Sequence, residues 1–544
     1  MIRRSVKENM GPIAMPTPAG SSLRLVLTMC AVVLALGCAA ATAQAPAPAP
    51  APAPAAKEAQ TEDVIVSGKP EQKSRVRQAL DRLLGKTESK KLETTGSEVI
   101  SLPKEKAAEL KKRLEKLGAK VTTLRKDWNH ILHPAKKDTP LTTKQKAAIE
   151  TAAKAPETVN VGVLKMPDAA VAELALTKFE QSVGTRGRAG PQDDPYAKVM
   201  LPMAGGGHIT LVRTRAPDFT PGGVTWVGET EETKERAVLM LWKDGHLSGY
   251  FGFKGRVYTV NHVGGDIHTM AEIDPKKLPP DHAPDPKNRN AAVAPPPAPA
   301  TPPLRPPEPE VAPFADADRQ ALETKPIVIN VMLLITKKVV DSYIRNPVDL
   351  STLAIEQANN TFRNSGLGNI TLRLAHSQVI DYNEADVDQF DSLYAMVDGV
   401  GVFKDLKKLR NEKRADIVGM VLDSPKGCGL STRVGAEADE AFFVVHHACA
   451  AITYSIAHEI GHIIGTRHDR YMDTNDKPIP YAHGFINGTK WRDMMSYQEG
   501  CNGCPRIPFW SNPRVRYEGE PTGTAASDNA RVILEQAERV AKFR

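Results

Sequence analysis

The stretch AHEIGHIIGTRHD, residues 457–469, brings three histidines and a glutamate close together in a chain of 544 residues that contains 14 histidines. His458 and His462 are four residues apart, so a helix would project both imidazoles from one face. Gly465 lets the chain turn sharply after the helix, which would bring His468 back as a third nitrogen ligand. Three protein ligands leave the fourth position of a tetrahedral zinc ion open to water, as is typical of catalytic zinc. The stretch therefore predicts one Zn²⁺ ion held by His458, His462 and His468.

Glu459 directly follows the first of these histidines, so it cannot easily bind the same ion. It can instead act as a general base that takes a proton from water as the water attacks a peptide carbonyl. These residues predict a zinc endopeptidase that acts on proteins or peptides. The alternative is a noncatalytic exported protein that binds a cell surface through its first half, with a structural zinc domain. A structural zinc site does not need a carboxylate at position 459, which favours the enzyme.

The sequence before the histidines alternates between strand and helix patterns. PIVINVMLLI and ADIVGMVLD are continuous apolar runs, as expected of strands covered on both faces. DLSTLAIEQANNTFRNSG and VFKDLKKLRNEKR are typical of helices, NITLRLAHSQVI alternates like a half-buried strand, and AFFVVHHAC predicts a further strand. The pattern predicts an α/β (α+β) catalytic domain over residues 325–544.

The 43 prolines gather in two tracts that divide the rest of the chain. Residues 44–56 form a stiff Pro/Ala spacer, and residues 286–324 form a Pro-rich linker that we expect to be exposed and to contain a processing site. Residues 57–285, between the two tracts, form a separate N-terminal domain.

Two features predict the structure of this N-terminal domain. PKEKAAELKKRLEKLGAK predicts a solvated amphipathic helix that ends at Gly118. RAVLMLWKDGHLSGYFGFKGRVYTVNHV predicts two or three strands around turns at Asp244-Gly245 and Lys254-Gly255, so the domain is β-rich. The net charge of +7 belongs to this part of the chain, because the segment from residue 325 onward is close to neutral. The catalytic domain is therefore not expected to bind nucleic acid.

Residues 1–43 have the pattern of a secretory signal peptide. Arg3, Arg4 and Arg24 precede an apolar run, which is followed by small residues and an A-x-A site ending at Ala43. The run is barely long enough to span a bilayer, so no stable membrane span is expected. The pattern predicts a secreted or periplasmic protein, and the alternative is an outer-membrane lipoprotein attached through Cys38.

Four cysteines remain after the signal peptide is removed. An even number in an oxidising compartment suggests two disulfides, with three possible pairings. Proximity in sequence favours the pairs Cys428–Cys449 and Cys501–Cys504.

The extended motif His458-Glu459-Ile460-Gly461-His462-Ile463-Ile464-Gly465-Thr466-Arg467-His468-Asp469 resembles that of the metzincin zinc metalloproteases. These enzymes also have a methionine turn downstream, and RDMMSY matches it at Met495, with Met494 as a register alternative. PYAHGFINGTKWRDMMSY and CPRIPFWSNPRVRYEGEPTGTAASDNARVI resemble the bacterial reprolysin-like enzymes, and among these most of all the peptidyl-Asp metalloendopeptidases of the Asp-N type.

The resemblance implies a twisted mixed sheet, an active-site helix and a small irregular C-terminal subdomain, with substrate extended in the cleft between the subdomains. Substrate could add to an edge strand near residues 440–446. The resemblance implies that Met495 packs under the metal without binding it. Asp469 would support the site without being a ligand. Tyr497 would stabilise the oxyanion, or else be a packed core residue.

The Asp-N resemblance also implies a preference for acidic residues at P1', which would require a cation in the S1' pocket. Lys490, Arg492 and Arg506 are the candidates. Glycine-aspartate calcium repeats are absent from the sequence, so structural Ca²⁺ is not evident.

The N-terminal domain would act as a propeptide, an intramolecular inhibitor that keeps the enzyme in zymogen form. No cysteine lies between residues 44 and 427, so latency would require a carboxylate, a histidine or steric blockage. Asp316 and Asp318, within APFADADRQALETKP, are candidate sites of self-cleavage.

The remaining histidines near the motif are assigned structural or surface roles. His446 and His447 are neighbours at a strand end, so their side chains should diverge. His483 is expected to stabilise a loop.

Overall fold

The computed structural model describes residues 61–281 and 306–544, apart from short gaps at 68–72, 86–88, 124–130, 167, 187–196, 204–205, 221–222, 344–345 and 386. The predicted signal peptide, the spacer, Cys38 and the linker up to residue 305 lie outside the described residues. Within the described ranges, no helix has the length and apolar character needed to cross a membrane.

A small antiparallel sheet with two helices begins the described chain, and its strand order is β2-β3-β1-β4. Its elements are β1 (Thr61–Ser67), α1 (Lys73–Leu84), β2 (Lys90–Lys91), β3 (Glu98–Pro103), α2 (Lys104–Glu115) and β4 (Lys120–Thr123). Helix α2 buries Ala107, Leu110 and Leu114 and leaves its lysines exposed, as the amphipathic pattern predicts.

A ten-stranded antiparallel sheet follows, with strand order β5-β6-β14-β13-β12-β11-β10-β8-β7 and β9 paired with β10. Gly245 and Gly255, with φ of +90° and +73°, form the two turns expected from the sequence, and three strands surround them. The elements are β5 (His133–Pro134), α3 (Thr143–Lys154), β6 (Thr158–Lys165), α4 (Ala169–Arg186), β7 (Lys198–Pro202), β8 (His208–Arg213), β9 (Asp218–Thr220), β10 (Gly223–Thr230), β11 (Arg236–Trp242), β12 (Leu247–Phe253), β13 (Arg256–His262) and β14 (Ile267–Ile273).

The C-terminal region is mixed α/β, which confirms that part of the predicted fold class. Its main sheet has the order β16-β15-β17-β19-β18, in which only the β18 pairing is antiparallel. The elements are α5 (Asp316–Glu323), β15 (Ile327–Thr336), α6 (Lys337–Tyr343), α7 (Pro347–Asn364), β16 (Ile370–Ile380), α8 (Gln389–Asp398), α9 (Leu406–Glu412), β17 (Ile417–Leu422), β18 (Gly429–Ser431), β19 (Phe442–His446), α10 (Ser455–Ile464), β20 (Ile486–Asn487), β21 (Trp491–Arg492), β22 (Arg516–Tyr517), β23 (Glu520–Pro521) and α11 (Asn529–Val540).

Both faces of this sheet are covered, which explains the continuous apolar runs. Leu333 and Ile335 of β15 belong to the core that includes residues of α7, α10 and α11. Met332 and Leu334 point to the opposite core, which includes residues of α8. The histidine-bearing helix α10 is therefore fixed between the sheet and two other helices.

Helix α7 also contacts the ten-stranded sheet, so the N-terminal and C-terminal regions share one apolar cluster. Tyr250 of β12 belongs to the same core as Leu353 of α7. Beside it, Arg215 pairs with Glu356 at 2.6 Å. This contact therefore combines apolar packing with a partly buried ion pair.

Residues 306–324, the end of the predicted linker, lie against the C-terminal region. Phe314 lies under the guanidinium groups of Arg514 and Arg531, with 5.5 and 4.8 Å to the ring centroid. The Nδ2 atom of Asn369 donates to the carbonyl of Leu322 at 3.0 Å. Phe314 and Leu322 are therefore partly buried, whereas Asp316 and Asp318 in the same segment are exposed.

A histidine at the contact between the two regions makes the stability of this contact pH-dependent. His246 Nε2 lies 3.2 Å from a carboxylate oxygen of Asp349 on α7, and His246 Nδ1 lies 2.6 Å from Asp244. Burial alone lowers the pKa of His246, but the two carboxylates outweigh it and raise the pKa to about 9. The stabilisation is thus complete below pH 6.5 and is lost as the pH rises through about 9.

We therefore predict that His246→Gln lowers the urea midpoint of the full-length chain at pH 6 but has no effect at pH 10. The exposed His208 provides the control, because His208→Gln should change neither midpoint. Equal destabilisation by His246→Gln at both pH values would contradict a charged contact.

Candidate active site

Helix α10 presents His458 and His462 on one face, and the chain reverses immediately after it. Gly465 has φ of +137°, a conformation that other residues rarely adopt, and a Cβ there would lie 3.3 Å from Val532 of α11. The reversal returns His468 to the helix, as the sequence predicts.

The ring nitrogens of the three histidines converge on one point. Nε2 of His468 lies 3.2 Å from Nε2 of His458 and 2.9 Å from Nε2 of His462. Nδ1 of His458 and Nδ1 of His462 lie 3.0 and 2.9 Å from the carbonyl oxygens of Met494 and Thr466. A carbonyl only accepts hydrogen bonds, so each Nδ1 carries the proton and each Nε2 presents a lone pair. Three imidazole nitrogens that converge at these distances, two of them presenting lone pairs, form a donor set that fits a zinc ion.

Glu459 lies beside this point, against the outer strand β18. Only 3% of the residue is exposed. Burial raises the pKa of Glu459, to about 8, although hydrogen bonds from Ser431 and the positive charge of Arg506 act in the opposite direction. A Cβ at Gly429 would lie 2.4 Å from Oε1 of Glu459, so a larger residue there would force the carboxylate to move. Neither Ser431 nor Gly429 was predicted from the sequence.

The edge strand nearest the histidines is not the one predicted from the sequence. The expectation of an edge strand near residues 440–446 is wrong, because β19 lies inside the sheet, between β17 and β18. At this end of the sheet the outer strand is β18, which is antiparallel and only three residues long, Gly429–Ser431. So short a segment has no recognisable strand pattern.

Two buried carboxylates hold the segment that follows β21 against the histidines. Asp469 accepts the backbone N–H of Tyr497 at 2.9 Å. Asp493 accepts the backbone N–H of Met495 at 3.1 Å and the hydroxyl of Ser496 at 2.6 Å. Burial raises the pKa of Asp469 to about 6 and that of Asp493 to about 7. Asp493 was not predicted, although it directly precedes the two methionines.

The predicted methionine turn lies next to the histidines. Met494 and Met495 are both fully buried in the main core, and the carbonyl of Met494 faces His458.

Tyr497 lies at the histidine site, with its hydroxyl 2.9 Å from Nε2 of His468. A cleft of about 160 Å³ opens at this place. Its lining comes from the histidine site and from the segment containing β18, and includes Glu459, His462, His468, Tyr497, Leu430 and Val434.

The structure brings together two of the three candidate cations for an S1' pocket. Arg492 and Arg506 are joined by a β-bridge, and both donate to the carbonyl of Ser496, at 3.1 and 3.2 Å. Both also contact Asp281 of the N-terminal region, at 3.2 and 2.9 Å. Lys490 lies elsewhere, with 61% of its side chain exposed and its ammonium group on Glu520.

Two disulfides fix the surroundings, in the pairing that sequence proximity favours. Cys428–Cys449 ties the residue before β18 to the segment between β19 and α10. Cys501–Cys504 closes a short loop, and the carbonyl of Cys504 accepts a hydrogen bond from Arg492.

The remaining histidines near the motif are buried. Nδ1 of His483 lies 3.0 Å from the carbonyl of His468, which agrees with the expected loop role. The expectation that His446 and His447 diverge is wrong: their ring centroids are 4.5 Å apart, because the strand ends at His446 and the alternation stops. With Asp423 they could hold a cation, but Lys338 already lies 2.9 Å from that carboxylate.

Comparison with protein families places the C-terminal region among metallopeptidases. The family model Reprolysin_5, described as metallo-peptidase family M12, matches residues 325–511. This range contains the histidine helix, the third histidine and the segment with the two methionines.

Curated relatives are similar over a longer part of the chain. Two peptidyl-Asp metalloendopeptidases of Stenotrophomonas maltophilia, from strains K279a and R551-3, are 30% and 29% identical over 363 residues, which cover 62% of this chain and 81% of each relative. A peptidyl-Asp metalloendopeptidase of Xanthomonas campestris pv. campestris is 28% identical over 401 residues, covering 69% of this chain and 90% of the relative. Because residues 325–544 are less than half of the chain, the similarity extends into the N-terminal region.

The family match and the relatives agree with the resemblance inferred from the histidine stretch and the methionine turn. They do not support the alternative of a noncatalytic surface-binding protein. We conclude that the chain is a zinc metalloendopeptidase and belongs to metallopeptidase family M12.

Proposed function

We propose that the enzyme is secreted and hydrolyses peptide bonds with one zinc ion held by His458, His462 and His468, and that it prefers acidic residues at P1'. The convergence of three imidazole nitrogens beside the Glu459 carboxylate, in an open cleft, is the observation that carries the proposal. A bound zinc ion supplies a Lewis acid that polarises the scissile carbonyl and makes water more acidic.

The side chains around the ion have separate roles. Glu459 accepts a proton from the attacking water and delivers it to the leaving amine, and its burial favours this exchange by bringing its pKa close to neutrality. The hydroxyl of Tyr497 donates to the oxyanion that develops on the substrate carbonyl. Asp469 positions Tyr497 through the backbone bond described above. The outer strand β18 offers its edge to an extended substrate backbone.

Replacement of the base should abolish activity without loss of the fold. We predict that Glu459→Gln lowers kcat/KM on casein by about a hundredfold or more, because proton transfer loses its acceptor. Removal of the metal with a chelator should abolish wild-type activity, and Zn²⁺ should restore it. The exposed Glu412 is the matched control, since Glu412→Gln should be fully active. If Glu459→Gln folds, binds zinc and retains activity, the assignment of the base is wrong.

Arg492 and Arg506 are proposed as the S1' cations, because they form a buried pair next to the segment that carries Tyr497. The printed names of the relatives, peptidyl-Asp metalloendopeptidases, support an acidic preference. A buried guanidinium pair would reward a carboxylate and penalise a neutral side chain.

This assignment predicts a change in selectivity and not only in rate. Selectivity can be measured as kcat/KM for a peptide with Asp at P1' divided by kcat/KM for the same peptide with Asn at P1'. Arg506→Gln should reduce this ratio by about tenfold or more. Lys490→Gln is the control and should leave the ratio unchanged. A wild-type preference for apolar P1' residues would contradict the proposal.

We further propose that the chain is exported through residues 1–43 and that residues 57–285 act as its propeptide. The two disulfides support an oxidising compartment. Attachment to the outer membrane through Cys38 remains the alternative. Zymogen processing near Asp316 or Asp318 would require the first turn of α5 to unwind, because both residues lie in that helix.

We predict that N-terminal sequencing of the secreted enzyme will find a start between residues 286 and 324. A mature chain that begins near residue 44 would contradict a removable propeptide.

A further inference from the structure

The end of the N-terminal region reaches the active-site side of the enzyme. After β14 and a short turn at Pro275–Lys277, the segment Leu278–Asp281 lies against the residue that precedes the outer strand β18. The carbonyl of Pro280 accepts the backbone N–H of Cys428 at 2.8 Å. The carbonyl oxygen of Pro279 lies 3.4 Å from the sulfur of Cys428.

This backbone bond joins the end of the N-terminal region to the residue that precedes β18. Cys428 is adjacent to Gly429, the first residue of β18, and the disulfide to Cys449 holds it in place. The segment 278–281 therefore contacts the start of β18, the strand that is proposed to pair with an extended substrate.

The side chain at the end of the segment is an aspartate, and it enters the arginine pair. One oxygen of Asp281 lies 3.2 Å from Arg492 and 2.9 Å from Arg506. All three side chains are largely buried: the exposed fraction is 16% for Asp281, 10% for Arg492 and 8% for Arg506. Both arginines also contact Ser496, the residue before Tyr497, so the aspartate lies close to the reacting centre.

We propose that Asp281 is a built-in mimic of an acidic P1' side chain, and that the N-terminal region keeps the enzyme latent by occupying the Arg492–Arg506 pocket. This inference rests on the proposed S1' role of the two arginines. No cysteine lies between residues 44 and 427, so latency needs another group. Asp281 would supply a carboxylate for this purpose.

The position of the histidine cleft supports the proposal that the segment 278–281 blocks the Arg492–Arg506 pocket and not the proposed zinc site. Among the described residues, the lining of the cleft comes from the C-terminal region, between Gly429 and Tyr497. The segment 278–281 therefore competes for the place where substrate selectivity is proposed to arise. When the segment leaves, two buried guanidinium groups lose a carboxylate, so the pocket then favours an acidic side chain from another chain.

The test compares intact precursors. Each full-length chain is purified with a chelator to prevent self-cleavage, Zn²⁺ is restored, and the initial hydrolysis of a quenched peptide with Asp at P1' is measured before processing. Asp281→Asn should raise this initial rate by about tenfold or more, because the neutral amide no longer pairs with the arginines. Asp281→Glu should keep most of the latency. Asp266→Asn is the control, because Asp266 forms only a surface pair with Lys165, at 3.3 Å. The precursor with this substitution should remain latent.

The fully processed enzymes distinguish failure of this inference from failure of the proposed S1' pocket. If the mature wild type prefers Asp and Arg506→Gln removes that preference, the pocket is correct, and unchanged latency in Asp281→Asn then overturns the mimic alone. If Asp281→Asn is activated but the mature enzyme has no acidic preference, Asp281 is only a structural latch and the mimic is also overturned.

A second measurement applies if the Asp281→Asn precursor does not fold. A synthetic peptide with the sequence of residues 276–281 should inhibit the mature enzyme competitively. The same peptide with Asn in place of Asp281 should be about tenfold weaker or worse. Equal inhibition by the two peptides would overturn the proposal.

Discussion

The reversal of the chain at Gly465 is the constraint on which the proposed zinc site depends. Helix α10 alone can present only His458 and His462, and a third nitrogen must come from residues beyond the helix. The positive φ of Gly465 and the close approach of Val532 leave little room for any other residue. The turn is buried against α11, so the fold of the C-terminal region and the geometry of the site depend on the same few contacts.

Buried polar groups then connect the site to its surroundings. Asp469 follows the third histidine and holds the backbone of Tyr497, while Asp493 holds the turn that contains Met495. Each carboxylate is removed from water and accepts several hydrogen bonds, an arrangement that is stable only when all partners are in place. A substitution in this network should therefore alter the position of Tyr497 before it alters the helix.

The features that could be predicted from the sequence are those encoded within short stretches. The histidine spacing, the glycine turn, the continuous apolar strands and the two hairpin turns all depend on residues close together in the chain. The features that were missed depend on distant residues. Strand β18 is recognisable only from its pairing with β19, and Asp281 meets Arg492 across 211 residues of chain. Lys490 and Arg492 are nearly adjacent in sequence, and only the fold separates the exposed side chain from the buried one.

The central claim is that three histidines hold one catalytic zinc ion. X-ray absorption at the zinc edge of the mature enzyme, with metal content measured by mass spectrometry, tests it most directly. We expect one zinc per chain with three imidazole ligands and no sulfur ligand, and we expect His468→Ala to lose one imidazole ligand. A sulfur ligand, or a spectrum unchanged by His468→Ala, would contradict it.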